Sequence, residues 1–171
     1  MSEPLVSVNI VTWNGSKYLP ALLHSLQQQT FHDFSILIID NGSQDNTFKW
    51  LNEYYPQLKI VRNKSNLGFA KAHNQGINWT KSKYVLMVNQ DTLLTPNFIE
   101  ELVEYAEANP KVGALSGKLL YFDANTQNRT NTVDSCGLLV KKNHQAYDLY
   151  QGQKELETPH QPFEVFGSEP F

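Results

Sequence analysis

Asn89-Gln90-Asp91-Thr92 follows an uncharged apolar run and precedes a segment with helical periodicity. A carboxylate at that place, beyond a buried strand, is suited to a divalent cation. Mg²⁺ and Mn²⁺ take oxygen ligands and keep positions open for water or phosphate. Asp91 as a turn-capping residue is the competing reading. Asp40-Asn41-Gly42-Ser43-Gln44-Asp45 ends another apolar run. Asp40 is either an acceptor for a base or ribose, or the first residue of an Asx-type turn that caps the next helix with Ser43. Thr12-Trp13-Asn14 ends the first run. Trp13 there is either one wall for a planar base, with Thr12 at its edge, or partly buried packing. Asn66-Leu67-Gly68-Phe69-Ala70-Lys71-Ala72-His73-Asn74 joins a glycine turn to a helix with small residues on one face. Small residues let backbone approach a ligand or a neighbouring strand; a plain turn at Gly68, with solvated Lys71 and His73, is the alternative.

Other chemistries lack their residues. No Gly-x-Gly-x-x-Gly follows the first run, no Gly-x-x-x-x-Gly-Lys-Ser/Thr occurs, and there is no Gly-x-Ser-x-Gly elbow. Dinucleotide-binding, P-loop and esterase readings are therefore disfavoured. With those phosphate cradles missing, a diphosphate would have to be held through a cation on Asp91. The single cysteine excludes a disulfide framework and a thiolate zinc site. Hydrophobic residues at 40% and charged residues at 18% describe a folded chain. A net charge of −3 over 171 residues argues against nucleic acid as a partner.

The elements that must position these residues alternate. Strands are expected at 5–12, 34–39, 58–61 and 84–88. Helices are expected through Leu19, Leu22, Leu23 and Leu26, with Pro20 in the first turn, through Phe48, Leu51 and Tyr54, and over 69–79. Another should start at Thr95 as N-cap with Pro96 at the first helical position, run through Ile99, Leu102, Val103 and Ala106, and stop at Pro110. Strand–helix alternation at this spacing predicts an α/β fold with right-handed crossovers, a mostly parallel central sheet and flanking helices. Such sheets bind ligands at the carboxyl ends of their strands, where all four blocks fall. After Pro110 the expectations are an irregular strand over 112–122, a polar loop over 123–132, a strand over 133–140, and no periodicity from Asn143 onward. The N-terminus has no basic, apolar and cleavable leader, and no run of eighteen apolar residues occurs. A cytoplasmic chain is expected, in which the triplets at Asn41, Asn63, Asn78 and Asn128 are chance glycosylation matches.

In order and at normal spacing, these blocks resemble family 2 glycosyltransferases of the Rossmann-like GT-A fold, and more narrowly their bacterial rhamnosyltransferase-like branch. The matching stretches are Val6 to Asn14, Leu19 to Ser25 with Gln29-Thr30, Ile38 to Asp45, Asn66 to Ala70 with Asn74 and Gly76, and Leu86 to Thr92. The resemblance covers about residues 4 to 120. It implies a nucleotide-sugar-binding domain over 1–122 and a partial acceptor-side segment over 123–171. It implies nucleotide binding by Thr12, Trp13, Asn14, Asp40, Asn66, Gly68, Phe69, Ala70, Asn74, Asn89 and Gln90, and a Mg²⁺ or Mn²⁺ ion on Asp91. Asn89 replaces the first carboxylate of the family's Asp-x-Asp, where an amide still binds a ribose hydroxyl but adds no charge.

The implied reaction is inverting transfer from a UDP- or dTDP-linked sugar to a saccharide or polyprenyl-linked acceptor, in cell-wall or polysaccharide synthesis. It carries possible peripheral association at the inner membrane face and possible homo-oligomers. The general base of inverting members lies in a Glu-Asp segment of the C-terminal half, which Asp148, Glu164 and Glu169 do not match. The expectation is a truncated enzyme whose base lies beyond Phe171, which binds donor and transfers poorly. The alternatives are a non-catalytic nucleotide-binding or scaffold module, and a nucleotidyltransferase, which would want a glycine- and basic-rich loop where Trp13-Asn14-Gly15-Ser16 stands.

Overall fold

The computed structural model describes residues 3–123, 128–165 and 167. Contacts divide the chain into two compact units, Met1–Glu104 and Tyr105–Phe171. The expected functional boundary between residues 122 and 123 lies within the second.

The first unit contains β1 (Val6–Thr12), α1 (Leu19–Gln27), β2 (Phe34–Asp40), α2 (Thr47–Tyr54), β3 (Lys59–Arg62), α3 (Phe69–Trp79), β4 (Tyr84–Asn89) and most of α4 (Phe98–Ala108). The four strands form one parallel sheet in the order β3-β2-β1-β4. The α/β expectation is met, with strand and helix limits within a residue or two except at α4. The chain moves outward from β1 to β3 and then returns to the other side of β1. That reversal places a topological switch point between β1 and β4, where the loops after the two strands diverge.

Strand periodicity sorts β1 onto two faces. Val6, Val8 and Ile10 join Leu19, Leu22, Leu23 and Leu26 of α1, Ile38, Leu51, Val88, Ile99 and Val103 in the main core. Each such Leu or Ile buries side chain worth roughly 1.5–3 kcal/mol. The opposite face is smaller: Val11, Leu37, Ile39 and Val61 pack with Ala72. Gly76 lets α3 lie close to this face, since a Cβ there would stand 2.7 Å from Asn9 Nδ2.

The start of α4 corrects the expectation at Thr95-Pro96. The helix begins at Phe98, and Thr95-Pro96 form the turn before it. The reason is Gln29, fully buried after α1. Its Nε2 donates to the Thr95 carbonyl at 2.8 Å, and its Oε1 accepts from Ile99 N–H at 3.1 Å. The Thr30 amide donates to the Pro96 carbonyl at 2.8 Å. The first turn of α4 is thus capped from a distant element, and the 95–96 carbonyls are held outside the helix.

The second unit departs most from expectation. Residues 112–118 form no strand, since Gly113 and Gly117 leave little to pack in that stretch. β5 (Leu119–Asp123) pairs antiparallel with β6 (Asn128–Ser135). The polar loop expected over 123–132 is therefore largely strand, apart from 124–127, which lie outside the described residues. Its threonines suit a strand with one exposed face. The strand expected over 133–140 is broken at Gly137, whose φ of +116° no side-chain-bearing residue readily adopts. Beyond that break β7 (Leu138–Val140) pairs with β8 (Ala146–Asp148), and a 3₁₀ turn spans Glu155–Glu157, where no element was expected. Glu169 lies outside the described residues. Among the described residues no helix is long and apolar enough to cross a membrane.

Gln29→Met keeps the length of the side chain but leaves Ile99 N–H unpaired, while the Thr95 carbonyl keeps only the Phe98 amide as donor. The expected loss is about 1–3 kcal/mol of unfolding free energy, read as a lower urea midpoint at unchanged slope.

Candidate functional site

Each strand of a buried parallel sheet ends in a loop whose polar groups have left the ladder. Here the four loops after β1, β2, β3 and β4 lie side by side in sheet order, and each is tied to its neighbour. Thr12, Asp40 and Arg62 stand in register at the ends of β1, β2 and β3.

The loops after β1 and β2 are joined through Asn14, which adopts φ +51°. Asparagine tolerates that left-handed conformation better than most residues. Its amide donates to Ser43 Oγ at 2.9 Å, and its side-chain Oδ1 accepts from the Gln44 amide at 2.9 Å. The Asn41 amide donates to the Thr12 carbonyl at 2.7 Å. Asp45 closes the same seam: its carboxylate accepts from Ser16 Oγ at 2.7 Å and from the Thr47 amide and hydroxyl at 2.9 and 2.5 Å. Partial burial alone would raise the Asp45 pKa. The hydrogen bonds from Thr47 and Ser16 outweigh it and hold the pKa below the ordinary carboxylate value.

The loops after β2 and β3 are joined through Asn41. Its Nδ2 donates to Asn66 Oδ1 at 2.9 Å, and its Oδ1 accepts from the Leu67 amide at 3.0 Å and Asn63 Nδ2 at 3.1 Å. Gly42, at φ +81°, is required twice over, because a Cβ there would also stand 2.7 Å from the Ser65 backbone. Asn66 Oδ1 also accepts from the Gly68 amide at 2.9 Å, so this side chain builds the turn into α3. Gly68 has φ +84°, and a Cβ would meet no atom within 4 Å. Its requirement is conformational, and the space beside it is open.

Asp40 builds the turn at the end of β2. Its Oδ1 accepts from the Ser43 amide at 2.9 Å, which is the expected Asx-type turn. Its Oδ2 lies 3.2 Å from Arg62 Nε but makes no hydrogen bond, although Asp40 is fully buried. That oxygen is closed to solvent, and the Arg62 guanidinium beside it supplies its countercharge. Arg62 also donates to the Ser43 carbonyl at 3.1 Å and lies over the Phe48 ring. The sequence reading assigned Arg62 no role. Its signal is the register opposite Asp40, which requires the strand order.

The loops after β1 and β4 are joined by Gln90. Its Oε1 accepts from Thr12 Oγ1 at 2.6 Å and from the Trp13 amide at 3.0 Å, and its Nε2 donates to the Trp13 carbonyl at 3.3 Å. Thr12 is buried, whereas the Trp13 side chain is 49% exposed and so is not the partly buried packing residue of the competing reading. Asn89 is half-buried at the end of β4, and Asp91 is exposed one turn beyond. Phe69, Ala70 and Asn74 are exposed on α3. His73 is buried beneath Phe69, with ring centroids 4.4 Å apart, and neither ring nitrogen has a hydrogen-bond partner. Burial pushes its pKa below the usual histidine value, which keeps the ring neutral.

The glycosyl transferase family 2 profile matches residues 7–168. The chain belongs to glycosyl transferase family 2. An uncharacterized family glycosyltransferase of Haemophilus influenzae is 34% identical over 119 residues, covering 68% of this chain and 37% of the relative. A chondroitin synthase of Escherichia coli is 33% identical over 100 residues, covering 57% of this chain and 14% of the relative. The chain thus spans well under half the length of these glycosyltransferases. The fold is that of S. aureus TarS 1–349 in complex with UDP, with TM-score 0.58 and 22% identity over 82% of this chain and 43% of that one. It is also that of the Pyrobaculum calidifontis mannosyltransferase PcManGT in complex with GDP-Man and Mn²⁺, with TM-score 0.58 and 22% identity over 66% and 34%. These are GT-A glycosyltransferase structures, and their likeness shows the fold.

The residues present offer a cation a single carboxylate at the rim. Among the described residues no group of three or more His, Cys, Asp and Glu forms a metal cage. Asp91 is an exposed carboxylate two residues after Asn89, beyond the end of β4. Such a donor set suits Mg²⁺ or Mn²⁺, which would take its remaining oxygens from water and a diphosphate.

Asp45→Asn weakens the seam between the first two loops. Because the native pKa is depressed, the charged form stabilises the fold at pH values above the unfolded pKa of about 4. That contribution disappears as pH falls through the lower native pKa. Urea unfolding across pH 2–7 should therefore show wild type more stable than the variant near neutrality, with the two converging in acid.

Proposed function

We propose that this chain carries the donor side of an inverting glycosyl transfer of the hexosyltransferase type, binding a UDP- or dTDP-linked sugar over residues 1–122, with 123–171 beginning the acceptor side. The observation that carries the reading is the rim itself, where the half-exposed Trp13 ring and the exposed Asp91 stand on loops tied to one another beside the Asp40 carboxylate. Asp40 holds the turn beside the base, and Trp13 offers the base a face. Gly68, Phe69, Ala70 and Asn74 border the nucleotide on the open side of α3. Asn66 and Asn14 hold the loops that shape its pocket, and Asn89 meets a ribose hydroxyl.

Asp91, with Asn89 beside it, holds the divalent cation. When bound, the cation supplies positive charge where the departing diphosphate gathers negative charge. The remaining work of the chain is to orient: fixed loops present the donor in one pose and lower the entropic part of the barrier. A carboxylate outside these four loops serves as the base for the acceptor hydroxyl. The TarS and PcManGT complexes with UDP and with GDP-Man and Mn²⁺ support a nucleotide-sugar partner and a cation. The likeness to a chondroitin synthase supports a saccharide acceptor and a place in polysaccharide synthesis. A polyprenyl-linked acceptor would bring the protein to the inner membrane face.

Calorimetry with UDP and dTDP, with and without Mn²⁺, tests this directly. Wild type should bind at least one of them about tenfold more tightly with Mn²⁺. Asp91→Ala should lose that gain at an unchanged melting temperature, because Asp91 is exposed. Equal affinity with and without the ion in wild type, or an undiminished gain in the variant, overturns the cation's place.

A further inference from the structure

Arg62 ends β3 opposite Asp40 at the carboxyl rim, and 48% of its side chain is open to solvent. A guanidinium is a planar fork of N–H donors with no acceptor. Here the fork is held in place. Its Nε faces the buried Asp40 Oδ2 at 3.2 Å, its Nη2 donates to the Ser43 carbonyl at 3.1 Å, and its Cζ lies 4.3 Å from the centre of the Phe48 ring. The outer N–H groups, on Nη1 and on the far side of Nη2, make no hydrogen bond among the described residues. They are free donors on a fixed plane and need no movement to be used. Ser43 also relates this fork to the Trp13 loop. Its Oγ accepts the Asn14 amide at 2.9 Å, and Asn14 follows Trp13. A single residue thus stands between the guanidinium and the loop that presents the Trp13 ring.

We infer that Arg62 is a specificity-determining residue whose outer N–H groups bind the exocyclic oxygen by which uracil, thymine and guanine differ from cytosine and adenine. The inference rests on the donor-binding reading above and extends it to the choice of base. Asp40 already neutralises the guanidinium, so a phosphate gains little net attraction there, whereas a neutral carbonyl still gains a charge-assisted hydrogen bond. Cytosine and adenine carry an amino group in place of that oxygen. An amino group facing the fork sets donor against donor, leaves both unpaired and rejects the wrong base.

Calorimetry in Mn²⁺ compares UDP with CDP, and dTDP with methyl-dCDP, pairs that differ at this group of the base. Wild type should bind the oxo member of the better-bound pair at least about tenfold more tightly. Arg62→Lys keeps a positive charge beside Asp40 but removes the planar fork, so the ratio should fall to about twofold or less while the gain from Mn²⁺ is unchanged. A purely structural countercharge would leave the ratio where it was. Melting curves show whether the variant folds. If it does not, wild type with thio-UDP decides: sulfur in place of that oxygen is a weak acceptor, and affinity should drop about tenfold. Equal wild-type affinity for oxo and amino bases, a folded Arg62→Lys with the wild-type ratio, or thio-UDP bound as tightly as UDP overturns the role of Arg62 and leaves the donor-binding reading standing. Wild type that binds none of the four nucleotides removes that reading itself, and this inference with it.

Discussion

Backbone groups that leave a buried parallel sheet must find new partners at its carboxyl rim, and this requirement governs the first unit. The helices cover both faces, so backbone groups beyond the carboxyl ends turn to the loops after β1, β2, β3 and β4. Asn14, Asn41, Asp45 and Gln90 meet the requirement with side chains that bind a neighbouring loop. Short amides and carboxylates suit the task because they accept at more than one lone pair and reach backbone two or three residues away. The four loops are joined into one surface.

That surface leaves a few groups uncommitted. Asp40 shows the division within one carboxylate: Oδ1 closes the turn to Ser43, and Oδ2 makes no hydrogen bond beside Arg62. Trp13 has its backbone fastened to Gln90 while its ring stays half in solvent. Asp91 is carried on the loop so fastened, and its carboxylate is exposed. Fastened backbone beneath exposed groups is what the proposed orientation of a nucleotide sugar demands, since a wall that moves with its ligand returns the entropy it was meant to remove.

The strand–helix alternation of the first unit was legible in the sequence because its strands are uninterrupted apolar runs and its helices repeat leucine at three- and four-residue spacing. The start of α4 was not, because Gln29 supplies its cap from seventy residues away. The second unit was read poorly for a related reason. Asn128–Ser135 is polar on its exposed face, and only its pairing with Leu119–Asp123 makes it a strand.

The sequence by itself determined which residue types stand after which strands, and with them the family, because buried strands and turn residues are local patterns. It left Asp40 between turn and ligand, and Trp13 between packing and wall. Tertiary structure closes the Asp40 turn, brings Arg62 beside Asp40 through the strand register, and leaves the Trp13 ring half in solvent. It also decided that Gln90 faces Trp13 across the switch point. Which loops are neighbours depends on strand order, and strand order is a property of the folded sheet that no local pattern encodes.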